Sequence, residues 1–307
     1  YSDGEVHFKG STTLDNGITF GVQIELEAFQ SGDQIDENYA FVEGSFGRLV
    51  IGGENTAGYM MQYGAPNVGA PVNSGWITSF VPAPPDSTTG FRTPALSTYV
   101  DLANDDHALN YYSPRFSGFQ VGASYVPAAT VNGEGKNFPV YADKETENHD
   151  LFAVGANYVE SFGEIDVAVA GGYRHATAAK SGPGGVGPSQ DDPEQYSAGL
   201  NLAFAGFTVG GSWAMESSDR PTDGYGADLG VSYSTGPWSV GVTGFHSEVD
   251  GVNGGGEDEL DSLQGAVSYA IGPGITGSIS VLYAEWEPST GEDADGFAGI
   301  FGMKIGF

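Results

Sequence analysis

The stretch Tyr196-Ser197-Ala198-Gly199-Leu200-Asn201-Leu202-Ala203-Phe204-Ala205-Gly206-Phe207-Thr208-Val209-Gly210-Gly211-Ser212-Trp213 decides how the chain is read. Tyr196, Ala198, Leu200, Leu202 and Phe204 share one parity, and Ser197, Gly199, Asn201 and Ala203 share the other. That is the period of a strand with one apolar face. Ala205-Gly206 leaves room only for a tight turn before a second strand begins. Aromatic residues stand near the ends of the apolar parity: Tyr196 and Phe204 on one strand, Phe207 and Trp213 on the next. The rise from Tyr196 to Phe204 is about 20 Å along a membrane normal for a strand tilted by ~40°. An outer-membrane barrel carries an apolar band of ~25 Å between its aromatic girdles.

The pattern extends over the whole chain. Strands are predicted near 5–12, 18–28, 38–46, 48–55, 107–114, 118–126, 150–159, 164–175, 194–204, 207–215, 224–234, 238–247, 260–270, 275–286 and 296–307. The links alternate between short and long. Leu14-Asp15-Asn16-Gly17, Gly47, Arg115-Phe116-Ser117, Ser161-Phe162-Gly163, Ala205-Gly206, Gly236-Pro237 and Gly272-Pro273-Gly274 are short; 29–37, 56–106, 127–149, 176–193, 216–223, 248–259 and 287–295 are long. Short turns at one end and long loops at the other are the plan of a transmembrane barrel, whereas a β-sandwich has no reason to segregate its loops. The fold class is therefore all-β, a transmembrane antiparallel β-barrel forming a single domain over residues 1–307.

Composition sets limits around that reading. The 307 residues include 49 Gly and no Cys, which excludes a disulfide scaffold and thiolate metal sites. No run approaches the ~18 consecutive apolar residues of a spanning helix. Net charge is -30, from 40 acidic residues against 10 Lys and Arg, so nucleic acid is excluded as a partner. The acids are spread between apolar segments, so they do not form an acidic tail. Phosphate-loop, zinc-protease and nucleophile-elbow motifs are absent, and the chain reads as a non-enzyme. Two groupings stand against that: Asp105, Asp106, His107, His149 and Asp150 near the outer rim as a protease-like cluster, and His246 with Ser247 as a lipase-like pair. Solvated rim charges and an interfacial His are the plainer readings.

Tyr111-Tyr112-Ser113-Pro114-Arg115-Phe116-Ser117-Gly118-Phe119 followed by Tyr125 resembles the hairpin that follows the longest loop in the general diffusion porins of Gram-negative bacteria. Gly44-Ser45-Phe46-Gly47-Arg48-Leu49-Val50-Ile51-Gly52 resembles the hairpin before that loop, and Phe301 to Phe307 resembles the C-terminal strand that ends on Phe. The resemblance implies sixteen strands, a homotrimer in the outer membrane, contact with lipid and lipopolysaccharide, and passive diffusion of small hydrophilic solutes. It also implies that the third outer loop, 56–106, folds into the pore. Asn110 departs from the pattern, because family members often place Arg there. Fifteen strands are readable; an even number with both termini on the short-turn side implies one more strand before Tyr1.

Function should then reside in lumen-facing charge. Parity places Lys9, Glu25, Glu27, Glu43, Glu54, Asp166, Arg174 and Asp228 on the wall, with Arg48 near a turn. The third loop offers Asp86, Asp101, Asp105 and Asp106 against Arg92. Most acids fall in or beside the long loops, which predicts a cation-preferring channel. The alternative is a substrate-selective channel, with Tyr59, Tyr63, Trp76, Phe80 and Phe91 as a sugar-stacking track. No cofactor is expected beyond weakly bound calcium at Asp250, Glu257, Asp258 and Glu259, whose spacing is not that of an EF-hand.

Overall fold

A computed structural model describes residues 4–28, 35–87, 93–129, 142–181, 191–218, 223–251 and 255–306. Tyr1, Phe91, Arg92 and the terminal Phe307 lie outside the described residues. Among the described residues, fifteen strands form one sheet in the order of the chain. They are β1 (Glu5–Thr13), β2 (Thr19–Glu27), β3 (Ile35–Gly44), β4 (Gly47–Gly53), β5 (His107–Tyr112), β6 (Phe119–Ala129), β7 (Asn148–Phe162) and β8 (Ile165–Thr177). There follow β9 (Glu194–Phe204), β10 (Phe207–Ser217), β11 (Gly224–Thr235), β12 (Trp238–Asp250), β13 (Glu257–Gly272), β14 (Ile275–Glu287) and β15 (Ala294–Ile305). Every predicted strand is present. Several run further toward the long links than predicted, such as β6 to Ala129 and β13 from Glu257. Backbone pairing continues there after the apolar alternation has ended.

The tight turns have the chemistry that short hairpins require. Ala205 and Gly206 both take positive φ, 48° and 83°, as the two central residues of a type I′ turn do.

The two faces of the strands are inverted relative to a water-soluble protein. On β11, Leu229 and Val231 are exposed while Asp228 and Ser232 are buried. On β14, Ile279 and Val281 are exposed, and Ser280 and Leu282 are buried. Leu229 is 68% exposed and Phe301 84%. An apolar face this continuous needs a nonaqueous surrounding. Buried polar side chains need partners on the opposite face, and the long segment between β4 and β5 provides many of them.

The described residues divide into two compact units. In the first (1–61, 101–157, 171–195), the one-turn helix α1 (Ala57–Met60) packs on the polar face of β6 and β7. A Cβ at Gly155 would stand 2.6 Å from the Ala57 carbonyl oxygen, so only Gly allows this approach. Leu102 and Ala103 pack with Val126, Ala129, Leu151, Ala153 and Ala176 in a buried cluster on that face.

In the second unit (62–100, 158–170, 196–307), residues 62–87 and 93–100 cover the polar faces of strands from β9 to β15. A Cβ at Gly199 would overlap the Tyr63 carbonyl oxygen. Val72, Ile77, Val81, Ala95 and Leu96 bury themselves against Phe245, Val249, Leu260, Leu282, Ala284 and Trp286. Phe245 shares the inward parity of Thr243 and Ser247 and so belongs to this contact.

Candidate functional site

In the first unit, Asp101 joins the two ends of the long segment. Its Oδ2 accepts the Thr56 hydroxyl at 3.0 Å, and its Oδ1 accepts the Ala103 N–H at 3.2 Å. Arg174 on β8 brings Nε within 3.8 Å of Asp101 Oδ1, and both side chains are fully buried. The Ala57 N–H donates to Ser124 Oγ at 2.8 Å, and Asn157 donates to the Met61 carbonyl at 3.3 Å. Asn110 is fully buried and donates to the Asn55 carbonyl at 3.1 Å. The position where the resemblance leads one to expect Arg therefore serves to seat the loop.

Carboxylates gather at the long-loop ends of β1 to β4. His7 Nδ1 lies 3.0 Å from Glu25 and its Nε2 2.6 Å from Glu5. Asn55 donates to Asp105 at 2.5 Å and to Glu37 at 3.3 Å. Glu54, just past β4, has its carboxyl pushed up to about 7, chiefly by burial. The Asn55 N–H at 3.0 Å opposes that rise, and the charge of Glu25 adds to it. Among the described residues, Glu5, His7 and Glu25, then Glu5, Glu27 and Asp36, then Glu25, Asp36 and Glu37 each bring ligand atoms within 4.8 Å of one another. These sets suit a cation sterically.

At the short-turn end, Arg48 pairs with Glu43 at 3.3 Å and lies 4.0 Å above the Phe41 ring. The pair borders an open cavity of about 410 Å³ shared with Thr19, Tyr112, Ser113 and Gln120. Lys9 is exposed on β1, opposite Gln23.

In the second unit, Asp228 on β11 plays the part that Asp101 plays in the first. Its carboxylate accepts the Ala65 N–H at 3.0 Å, the Ser212 hydroxyl at 2.7 Å, the Ser212 N–H and the Asn73 side-chain amide. Thr98 bridges the Ser212 hydroxyl at 2.6 Å and Asn73 Oδ1 at 2.6 Å. Thr243 and Ser247 donate to the carbonyls of Pro66 and Ala95 at 2.7 and 2.9 Å, and Ser280 accepts the Ala70 N–H at 3.1 Å. Asp86 is exposed beside Gly291.

The sequence-predicted residues therefore separate into groups. Glu25, Glu54 and Asp105 lie in the carboxylate cluster and its hydrogen-bond network, and Glu43 and Arg48 pair with each other. Asp101, Asp106 and Arg174 are buried beneath the loop ends, so Arg174 is not an open-lumen charge. Tyr59, Tyr63, Trp76 and Phe80 are half-buried, and Phe80 packs against the apolar cluster.

Strand alternation divides the four carboxylates expected to bind calcium, and also the two groupings set aside above. Asp258 is buried and accepts the Ser289 N–H at 2.6 Å, whereas Asp250, Glu257 and Glu259 share the opposite face, so the four do not surround one ion. His149 turns to the polar face, toward the Thr177 carbonyl at 3.1 Å, while Asp150 accepts the Tyr125 hydroxyl on the other. His246 meets Asp261 at 3.0 Å outside, and Ser247 faces the loop inside. The loop-holding roles of Ser124, Asn157, Ser212, Thr243 and Ser280 have no signal in the sequence beyond their parity.

A family model described as Gram-negative porin matches residues 1–285. No curated protein sequence matches the chain. Among solved structures, the trimer form of OmpT, an outer membrane protein of Vibrio cholerae, aligns with a TM-score of 0.67 at 15% identity, covering 99% of this chain and 91% of that one. An anion-selective porin from Comamonas acidovorans aligns with a TM-score of 0.63 at 15% identity, over 99% and 88% of the two chains. Salmonella typhi OmpF, in complex with daunomycin, gives 0.60 at 14% identity, over 97% and 89%. At such identities these likenesses show the fold, an outer-membrane β-barrel.

Proposed function

The chain belongs to the Gram-negative porin family of the outer membrane, and from that premise we propose that it is a passive, cation-preferring, non-enzymatic channel whose residues 56–106 form the constriction. The observation that carries this reading is the inverted strand. Its apolar face is open, and its polar face is covered by a segment held through Asp101 in one unit and Asp228 in the other. A barrel of this strand number encloses a wide channel, and a segment bound to its inner wall narrows it.

Cation preference rests on charge. The exposed or half-exposed carboxylates Glu5, Glu43 and Asp86 face few open cations, with Lys9 and Arg48 on the wall and Arg174 sealed. A single-sign cleft with low-dielectric walls concentrates counter-ions. Assembly as a homotrimer is part of the proposal, supported by the trimer form of the Vibrio cholerae neighbour, as is contact of the outer rim with lipopolysaccharide. Bound calcium is proposed at the all-carboxylate sets, Glu5 with Glu27 and Asp36 and Glu25 with Asp36 and Glu37, rather than at the divided Asp250 group.

The test is the zero-current potential across a salt gradient in a planar bilayer. A potential of cation sign is expected; an anion-selective or unselective channel at low salt would overturn the charge reading. Conductance that saturates with added sugars would favour the substrate-selective alternative.

A further inference from the structure

Arg174 lies on the polar face of β8 with no exposed surface, and among the described residues its Nε, Nη1 and Nη2 find no hydrogen-bond partner. Its charge is offset by one carboxylate, Asp101, at 3.8 Å. That same carboxylate holds Thr56 at the start of the long segment and Ala103 near its end. The guanidinium also packs against α1, since a Cβ on Gly58 would stand 3.2 Å from Arg174 Cζ. Ala176, on the same face of β8, belongs to the apolar cluster that Leu102 and Ala103 close.

We propose that Arg174 is a positioning residue: with Asp101 it clamps both ends of the constriction segment to β8, and so sets pore calibre without contributing to the field that selects ions. The proposal rests on the porin reading above. A guanidinium shielded in this way is not touched by permeating ions. A buried charge that lacks hydrogen bonds depends on its one counter-charge, so losing Asp101 alone strands it, and removing both charges relieves it. The pair is thus a clamp with an asymmetric failure: Asp101→Asn harms more than Arg174→Met, and the double variant recovers.

The experiment compares single-channel conductance, open-channel noise and zero-current potential for wild type, Arg174→Met, Asp101→Asn, the double variant and Gly58→Ala. Arg174→Met is expected to raise noise and conductance, with time in the loop-loosened state up about a hundredfold, and to leave the zero-current potential unchanged. Gly58→Ala, which keeps the charge but crowds both the guanidinium and the Val154 carbonyl, shifts noise and conductance the same way by less. Where Asp101→Asn fails to fold into a protease-resistant barrel, folding restored in the double variant supports the clamp, and continued failure overturns it. A changed zero-current potential in Arg174→Met would make Arg174 a field residue and sink the proposal. Unchanged conductance and noise in both Arg174→Met and Gly58→Ala would sink it equally. A wild-type chain that forms no channel would instead refute the porin reading.

Discussion

Replacing Asp228 by Ala removes the acceptor on which residues 65–73 are hung. Four donors converge on that carboxylate: the Ala65 N–H, the Ser212 N–H and hydroxyl, and the Asn73 amide. Hydrogen bonds to a charged group contribute about 1.5–3 kcal/mol each. Only the Ala65 and Asn73 donors belong to the segment, and they give a gross ~3–6 kcal/mol; the Ser212 pair stays within the wall and offsets part of the cost of burying the carboxylate. A net contribution of ~3 kcal/mol is the right scale, roughly a hundredfold in the ratio of docked to undocked segment.

The barrel itself should survive the change. The β10–β11 ladder runs through ten residue pairs, and Asp228 contributes its backbone, not its side chain, to that ladder. Planar-bilayer recordings of Asp228→Ala should show greater open-channel noise and a raised mean conductance. Asp228→Asn, which keeps one oxygen acceptor, should fall between the two. A folded Asp228→Ala channel with wild-type noise and conductance would refute the claim that this carboxylate docks the constriction.

Leu229→Arg places a charge midway between Tyr225 and Tyr233 on the exposed apolar face, and should lower stability by about 2–4 kcal/mol in urea titrations from lipid bilayers. Glu54 is neutral below its raised value of about 7 and ionised above it, so cation preference should increase between about pH 6 and 8 and lose that increment in Glu54→Gln. The sign for stability is opposite: from 4.5 to about 7 the folded carboxyl holds a proton that the unfolded one has released, so this group's contribution falls as pH rises through that window. Deleting residues 76–87 should raise conductance and the solute size limit measured by liposome swelling, because Ile77 and Val81 anchor that part of the segment.

The strands were legible because alternation and turn length are local. Tyr196 to Phe204 declares its two faces without reference to the rest of the chain, and the Ala205-Gly206 turn needs no distant partner. The loop's seat was not legible, because each contact that fixes it joins residues far apart. Ala65 meets Asp228 across 163 positions, and Ala70 meets Ser280 across 210. Parity told that Arg174 and Asp228 face inward, but not whether water or protein covers them. That distinction decides whether a wall charge acts on ions or on the loop.

Glycine shows how the covering is encoded, though in a form that resists reading. Gly155 and Gly199 sit on the polar parity, where a sequence reading assigns them to generic strand packing. Each is the place where a segment carbonyl rests on the strand, Ala57 on one and Tyr63 on the other. A side chain there would lift the segment off the wall and strand the buried hydroxyls and carboxylates beneath it, each at a cost of about 1–3 kcal/mol. The small residues of the wall and the buried polar groups beside them are therefore one device: the first let the segment approach, and the second hold it once it has. A wall rich in Gly and Ser on its polar parity, facing one long segment with apolar residues of its own, is what a lined pore needs and what an open pore would have no use for.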